Sequence, residues 1–225
     1  GAVIAYDANP FVKSVISGLP NAITFGLSES CDYYASDINF NNDGMPQFHV
    51  NHGGKALCQI ELAVPGEHNI LNALAAFACC HIQGVSVEDI VKTLDGYTGT
   101  QRRFDLLGET STGIRIVDDY AHHPTEIKAT LAAVRNMKHN TLWCLFQPHT
   151  YTRTMALLDD FATAFDEADK VVLAEIYAAR EKNIHKISSK TLMNKIKEHD
   201  PGKDVYFFED FEEIASFVYN NAQEG

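Results

Sequence analysis

The chain reads as an α/β protein in two parts, a stretch ending in an antiparallel strand segment and then a mostly parallel α/β body. Three observations predict it. Between Cys31 and Val64, three strand-like runs follow one another with only turn signals between them. Beyond residue 100, strand-like runs alternate with helical patterns, as a parallel sheet with crossover connections requires. Between the parts lies "GYTGTQRR", with two glycines and no hydrophobic periodicity, which reads as a linker. The expected domains are therefore 1–100 and 101–225.

"VIAYDANPFVKSVISGLP" gives a strand, a polar turn and a helix that stops near Gly18 and Pro20. "AITFG" is a short strand. "CDYYASDINF", "PQFHVNH" and "ALCQIELAV" are three more, with "NNDG" as a hairpin signal. Alternation puts Cys58, Ile60, Leu62 and Val64 on one face. After Pro65-Gly66 a helix starts near Glu67, with Leu71, Leu74, Ala75, Ala78 and Ile82 at helical spacing. A second helix follows, N-capped at Ser86, with Glu88 and Asp89 near its positive end. In the second part, "RFDLLGE" and "GIRIVDDY" read as strands, and "PTEIKATLAAVRNM" as a helix with Pro124 in its first turn. "TLWCLFQPH" reads as a buried strand and "ALLDDFATAFDEAD" as one amphipathic helix. "KVVLAEIY" and "DVYFFE" are strands, and "SKTLMNKIKEH" and "DFEEIASFVYNN" are helices.

Composition narrows the function classes. An apolar fraction of 45% is that of an ordinary soluble globular protein. A formal charge of −12 argues against bulk binding to nucleic acid or anionic membrane. Five cysteines without a CxxC pair read as buried thiols in a reducing compartment. No apolar run reaches membrane-spanning length and no signal peptide precedes the first strand. The chain opens directly on a strand without an initiator Met, so it is expected to begin inside a larger protein.

Polar clusters sit where strands of such sheets end, the usual place for ligands. "DDYAHH" offers Asp118, Asp119, Tyr120, His122 and His123. It reads as a strand end with a helix cap, as metal ligands, or as a loop handling phosphate or carboxylate. The last fits better, because adjacent histidines point apart and no HxH or HxxxH spacing occurs. "QPHTYTRT" offers His149, Tyr151, Arg153 and three threonines. Arg153 suits a carboxylate or phosphate, the bland alternative being a pair with Asp159 or Asp160. Asn69 and Asn72 share a helix face at i, i+3, where two amides suit an adenine edge and simple capping accounts for only one. Arg102 and Arg103 follow the linker, as solvated charges or as residues that reach a ligand. "HGGKAL" does not match a phosphate-binding loop and reads as a turn.

Together "GEHNILNALAA", "GYTGTQRRF", "DDYAHHPTEI", "FQPHTYTRT", "LLDDFATAF" and "EIYAARE" closely resemble the Mur ligases over essentially the whole chain, above all the members that act on L-alanine. The resemblance implies the end of a central ATPase domain at 1–100 and a Rossmann-like, amino-acid-binding C-terminal domain at 101–225. It implies a bacterial cytoplasmic enzyme of cell-wall synthesis, using ATP and Mg²⁺. ATP phosphorylates the carboxylate of UDP-N-acetylmuramate, and the amine of L-alanine attacks the acyl phosphate. By position, Asn69 and Asn72 match adenine contacts, Arg103 an interdomain arginine that reaches ATP phosphates, and Asp119 an aspartate near the nucleotide. Tyr120, His122 and Arg153 match residues lining the nucleotide and amino-acid region. The resemblance thus makes Arg103 and His122 the catalytic candidates, and His122, His149 and Arg153 the substrate-binding ones. Thr150 departs from the family, where many members carry Arg. The phosphate-binding loop and the Mg²⁺ ligands lie upstream in the family, so the chain alone is expected to be inactive. Two other classes stay open. One is a metal-dependent hydrolase built on Asp118, Asp119, His122, His123 and His149. The other is a non-catalytic amino-acid-binding or interaction domain.

Overall fold

A computed structural model describes residues 1–222. The chain forms two compact units, Gly1–Thr100 and Gln101 onward. Among the described residues no helix is long and apolar enough to cross a membrane.

The first unit is a five-stranded sheet in sequential order: β1 (Val3–Tyr6), β2 (Ala22–Gly26), β3 (Tyr33–Phe40), β4 (Pro46–His52) and β5 (Lys55–Glu61). β1, β2 and β3 pair in parallel, and β3, β4 and β5 antiparallel. Helix α1 (Pro10–Ile16) links β1 to β2 and is capped by Asn9, which accepts from the Phe11 and Val12 N–H groups. "HGGK" is the β4–β5 turn, where Gly53 and Gly54 take φ of 59° and 74°, which glycine tolerates best. Ile60, Leu62 and Val64 are buried as their alternation predicts, with Cys58 partly so.

Helices α2 (Glu67–Ile82) and α3 (Val87–Asp95) cover this sheet. α2 starts at Gly66, whose φ of 95° a residue with a Cβ rarely adopts. Its buried face is Ile70, Ala73, Leu74, Phe77 and Ala78. Of the expected stripe, Leu74 and Ala78 are buried, but Leu71 and Ala75 are only partly so and Ile82 is exposed, because Phe77 carries the largest apolar surface into the core and shifts the buried face toward itself. The outer face carries Cys79 and Cys80. These are exposed, so the expectation of buried thiols fails for them, while Cys31 is buried.

In the second unit, β8 (Trp143–Phe146), β9 (Lys170–Ala174) and β10 (Asp204–Phe208) form a parallel sheet in the order β10-β9-β8. β9 is central and its side chains alternate between two cores. Val171 and Leu173 meet Ile127 and Leu131 of α4 (Pro124–Arg135), Phe161 of α6 (Leu158–Ala162), and Leu192 and Ile196 of α7 (Ser189–His199). Val172 and Ala174 meet Ile214 of α8 (Phe211–Asn221). Each such large apolar side chain contributes about 1.5–3 kcal/mol when fully buried. This α/β/α layering is the Rossmann-like body the sequence predicts.

Three details differ from expectation. β6 (Asp105–Glu109) and β7 (Arg115–Asp118) form their own antiparallel hairpin, outside the parallel sheet, because the tight turn at 110–113 closes them on each other. β8 is an edge strand with Leu145 52% exposed, not a buried one. Of the single helix expected over 156–169, only α6 forms; α5 (Tyr151–Ala156) precedes it, the two part at Leu157 (φ −113°, ψ 21°), and turns follow Ala162.

Candidate functional site

The second unit gathers most of the candidate residues on two loops. The first, 118–123, leaves the carboxyl end of β7 and enters α4. Its polar groups are mostly engaged. Asp118 Oδ2 lies 3.3 Å from Arg102 Nε, and the Arg102 guanidinium stacks over the Tyr120 ring at 4.8 Å. The Tyr120 N–H donates to the Arg102 carbonyl at 2.8 Å. Asp119 accepts from the Phe104 N–H at 2.9 Å and the Ala121 N–H at 2.7 Å, one on each oxygen. This binds the segment after residue 100 to the loop. The backbone at Arg102 and Phe104 pays with φ of 58° and 50°, uncommon for residues with a Cβ.

His123 caps α4, its Nδ1 accepting from the Thr125 N–H at 3.2 Å. His122 differs. Its Nδ1 lies 2.9 Å from the Tyr120 carbonyl, which can only accept, so Nδ1 carries a proton and the neutral form of the ring has its lone pair on Nε2. The hub between these groups is a residue that sequence reasoning passed over. Glu126 accepts from the His122 and His123 N–H groups at 3.0 and 3.2 Å and lies 3.6 Å from Arg103 Nη1. Burial pushes its carboxyl up, but those N–H groups, the His122 ring and Arg103 outweigh it and hold the group below its ordinary value. Its sequence signal was present, since a glutamate three residues after a capping residue is the capping-box pattern, with His123 in the usual Ser/Thr place.

The second loop, 147–153, leaves β8 and enters α5. His149 pairs with Tyr177 in a parallel bridge, and its ring lies 6.4 Å from that of His122. The fold thus brings those two candidates together. His149 Nδ1 is buried without a hydrogen-bond partner among the described residues. Arg153 sits in α5, its N–H donating to Thr150 Oγ1 at 3.4 Å. Its guanidinium has no ion pair among the described residues. Asp159 pairs with Lys195 at 3.5 Å, so the bland pairing with Asp159 or Asp160 does not form.

In the first unit, Asn69 and Asn72 are joined, Asn72 Nδ2 donating to Asn69 Oδ1 at 3.2 Å, while Asn69 Nδ2 donates to the Pro65 carbonyl at 2.8 Å. Neither caps α2, whose N-cap is Gly66. Asn72 is exposed, and its carbonyl oxygen has no hydrogen-bond partner among the described residues.

These arrangements give the hydrolase alternative no support. Asp118, Asp119 and His123 are occupied by partners within the chain, and no three His, Cys, Asp or Glu side chains converge among the described residues. What the second unit offers is an unpaired guanidinium, an imidazole with its Nε2 lone pair available, and a hub that ties Arg103 to that imidazole.

Comparison with known proteins gives the family. The family described as "Mur ligase, glutamate ligase domain" matches residues 102–225, and "Mur ligase middle domain" matches residues 1–80. A UDP-N-acetylmuramate–L-alanine ligase of Acetivibrio thermocellus is 46% identical over all of this chain and 48% of its own length. One from Caldanaerobacter subterraneus subsp. tengcongensis is 43% identical with the same shares. Among solved structures, the UDP-N-acetylmuramate-alanine ligase MurC of Thermotoga maritima superposes with a TM-score of 0.77 at 28% identity, over 99% of this chain and 46% of that one. The chain spans about half the length of the curated relatives it matches.

Proposed function

The chain belongs to the Mur ligase family, and we propose that it is part of an ATP-dependent ligase joining L-alanine to UDP-N-acetylmuramate in the bacterial cytoplasm. The observation that carries this is the 46% identity to such a ligase over the whole chain. In this proposal 1–100 is the end of the central ATP-binding domain and 101–225 the amino-acid-binding domain.

Residue roles follow from what each group has free. Asn72, held by Asn69, offers its amide to the adenine edge. Arg103, 3.6 Å from a partly exposed Glu126 and 6.0 Å from the Tyr120 ring centre, is available to transferred phosphate, where a guanidinium stabilises developing charge. Arg153 grips the carboxylate of L-alanine as a two-pronged donor. His122 accepts a proton at Nε2 from the amine as it attacks, a general-base role suited to an imidazole of that tautomer. His149, its ring 6.4 Å from that of His122, is close enough to meet the same substrate. Asp119 and Tyr120 act on the nucleotide side by holding the backbone around Arg102 and Arg103. ATP supplies the phosphoryl group that activates the sugar's carboxylate, with Mg²⁺ as its counter-ion. The described residues gather no ligand set for that ion, and no step here is routed through it.

The test is ATP turnover by the full-length protein. Phosphate release should need both UDP-N-acetylmuramate and L-alanine. Turnover with a different amino acid in place of L-alanine, or with no sugar nucleotide, would sink the proposal.

A further inference from the structure

The turn that presents Arg153 is strained. Thr150 has φ 66° and ψ 144°, a region that is nearly glycine-only, and it is β-branched. Such a conformation persists only where its surroundings over-determine it. Here the surroundings are a second loop, Tyr177–Glu181, which follows β9. The Thr150 N–H donates to the Tyr177 carbonyl at 2.9 Å, and the Tyr177 N–H donates back to the Pro148 carbonyl at 2.9 Å. Glu181 then closes the clasp, its Oε2 accepting from the Thr152 N–H at 2.8 Å. The clasping loop carries a strained residue of its own, Ala179 at φ 51°. No candidate role attaches to Glu181 in the sequence, yet its carboxylate sits on the backbone of the turn whose guanidinium is unpaired.

We infer that Glu181 is the positioning residue for Arg153, its carboxylate holding the Thr150–Thr152 backbone in the one conformation that presents the guanidinium to the amino-acid substrate. The inference rests on the role of Arg153 proposed above. The carboxylate is well matched to the task. The Thr152 N–H foremost, then the Thr150 and Thr152 hydroxyls and the Tyr151 N–H, hold it ionised below its ordinary value against desolvation. Because it fills the start of α5 itself, a substrate carboxylate is left to the side chain of Arg153 and not to the backbone amides there.

The experiment is steady-state kinetics of the full-length protein with L-alanine and ATP varied in turn. Glu181→Ala should raise the KM for L-alanine about tenfold, the scale of a lost helix cap, with the KM for ATP near wild type and the melting temperature lowered by only a few degrees. Glu181→Gln keeps an acceptor for the Thr152 N–H and should recover most of that loss, which a merely structural charge effect would not allow. If Glu181→Ala does not fold, Glu181→Asp, one methylene short of Thr152, should raise the same KM severalfold. An unchanged KM for L-alanine in either variant, or a rise in both KM values, overturns the inference while leaving the proposed function standing. A wild type that ignores L-alanine overturns the proposed function, and this inference falls with it.

Discussion

The loops 118–123 and 147–153 look alike in sequence, each a polar cluster between a strand and a helix, but the fold uses them in opposite ways. In the first, Asp118, Asp119 and His123 are engaged within the chain, as is Glu126 beside them, and of the two histidines His122 keeps an unused ring lone pair. In the second, the backbone is clasped, but His149 Nδ1 and the Arg153 guanidinium have no hydrogen-bond or ion-pair partner among the described residues. A cluster of ligand-type residues therefore splits into groups that build the site and groups that remain to touch a ligand. Only hydrogen-bond accounting tells them apart.

That contrast can be broken at its strongest point first. Asp119→Ala leaves two half-buried N–H groups without an acceptor, and should lower the unfolding free energy by about 2–3 kcal/mol. Urea denaturation of the 225-residue chain measures this. A loss within about 0.5 kcal/mol, the size of an ordinary surface change, would make Asp119 a ligand residue after all. Next, Arg153→Lys in the full-length protein should leave stability unchanged. It should raise the KM for L-alanine about tenfold, since an ammonium keeps the charge but loses the fork. A change in the KM for ATP with L-alanine spared would move Arg153 to the phosphate side.

The smallest effect sharpens the comparison through pH. The folded Glu126 carboxyl titrates below its ordinary value, so its stabilising share is present above the unfolded carboxyl pKa of about 4.3 and is lost as pH falls through the folded value. Asp169 adds to acid sensitivity with the same sign. Burial raises its carboxyl, but the Leu142 N–H and Arg135 outweigh that and hold it low. Glu126→Gln should therefore flatten part of the fall in urea midpoint between about pH 5 and 3, leaving the Asp169 share. An identical fall in both proteins would show that Glu126 binds its partners no more tightly as an anion.

Much of the fold was legible because periodicity reports burial directly. Ile60, Leu62 and Val64 alternate as read, and Ser86 caps α3 by accepting from the Asp89 N–H. The rotated face of α2 was not legible, because several registers of an apolar helix score alike and Phe77 decides between them by volume. The edge position of β8 was hidden for a related reason. "WCLF" is apolar on both faces, whichever strands flank it. At the site, the motif types pointed to two loops that the fold brings together. What they could not give was commitment. Nothing local in "AARE" says that Glu181 reaches back to Thr152, 29 residues earlier in the chain.

Strand β9 gives every other side chain to one core and the remainder to the other. It cannot be withdrawn without dissolving both, so its amides should open to solvent only when the whole unit melts. The β6–β7 hairpin, with Leu106, Leu107 and Ile116 exposed, has no such double anchorage. Tyr177 and Glu181 issue from β9, while Arg102, Arg103 and Asp118 hang on the hairpin. Under the proposed function, the clasp behind Arg153 is thus fastened to the doubly anchored strand, and Arg103, proposed to reach a phosphate, is joined to the singly anchored hairpin.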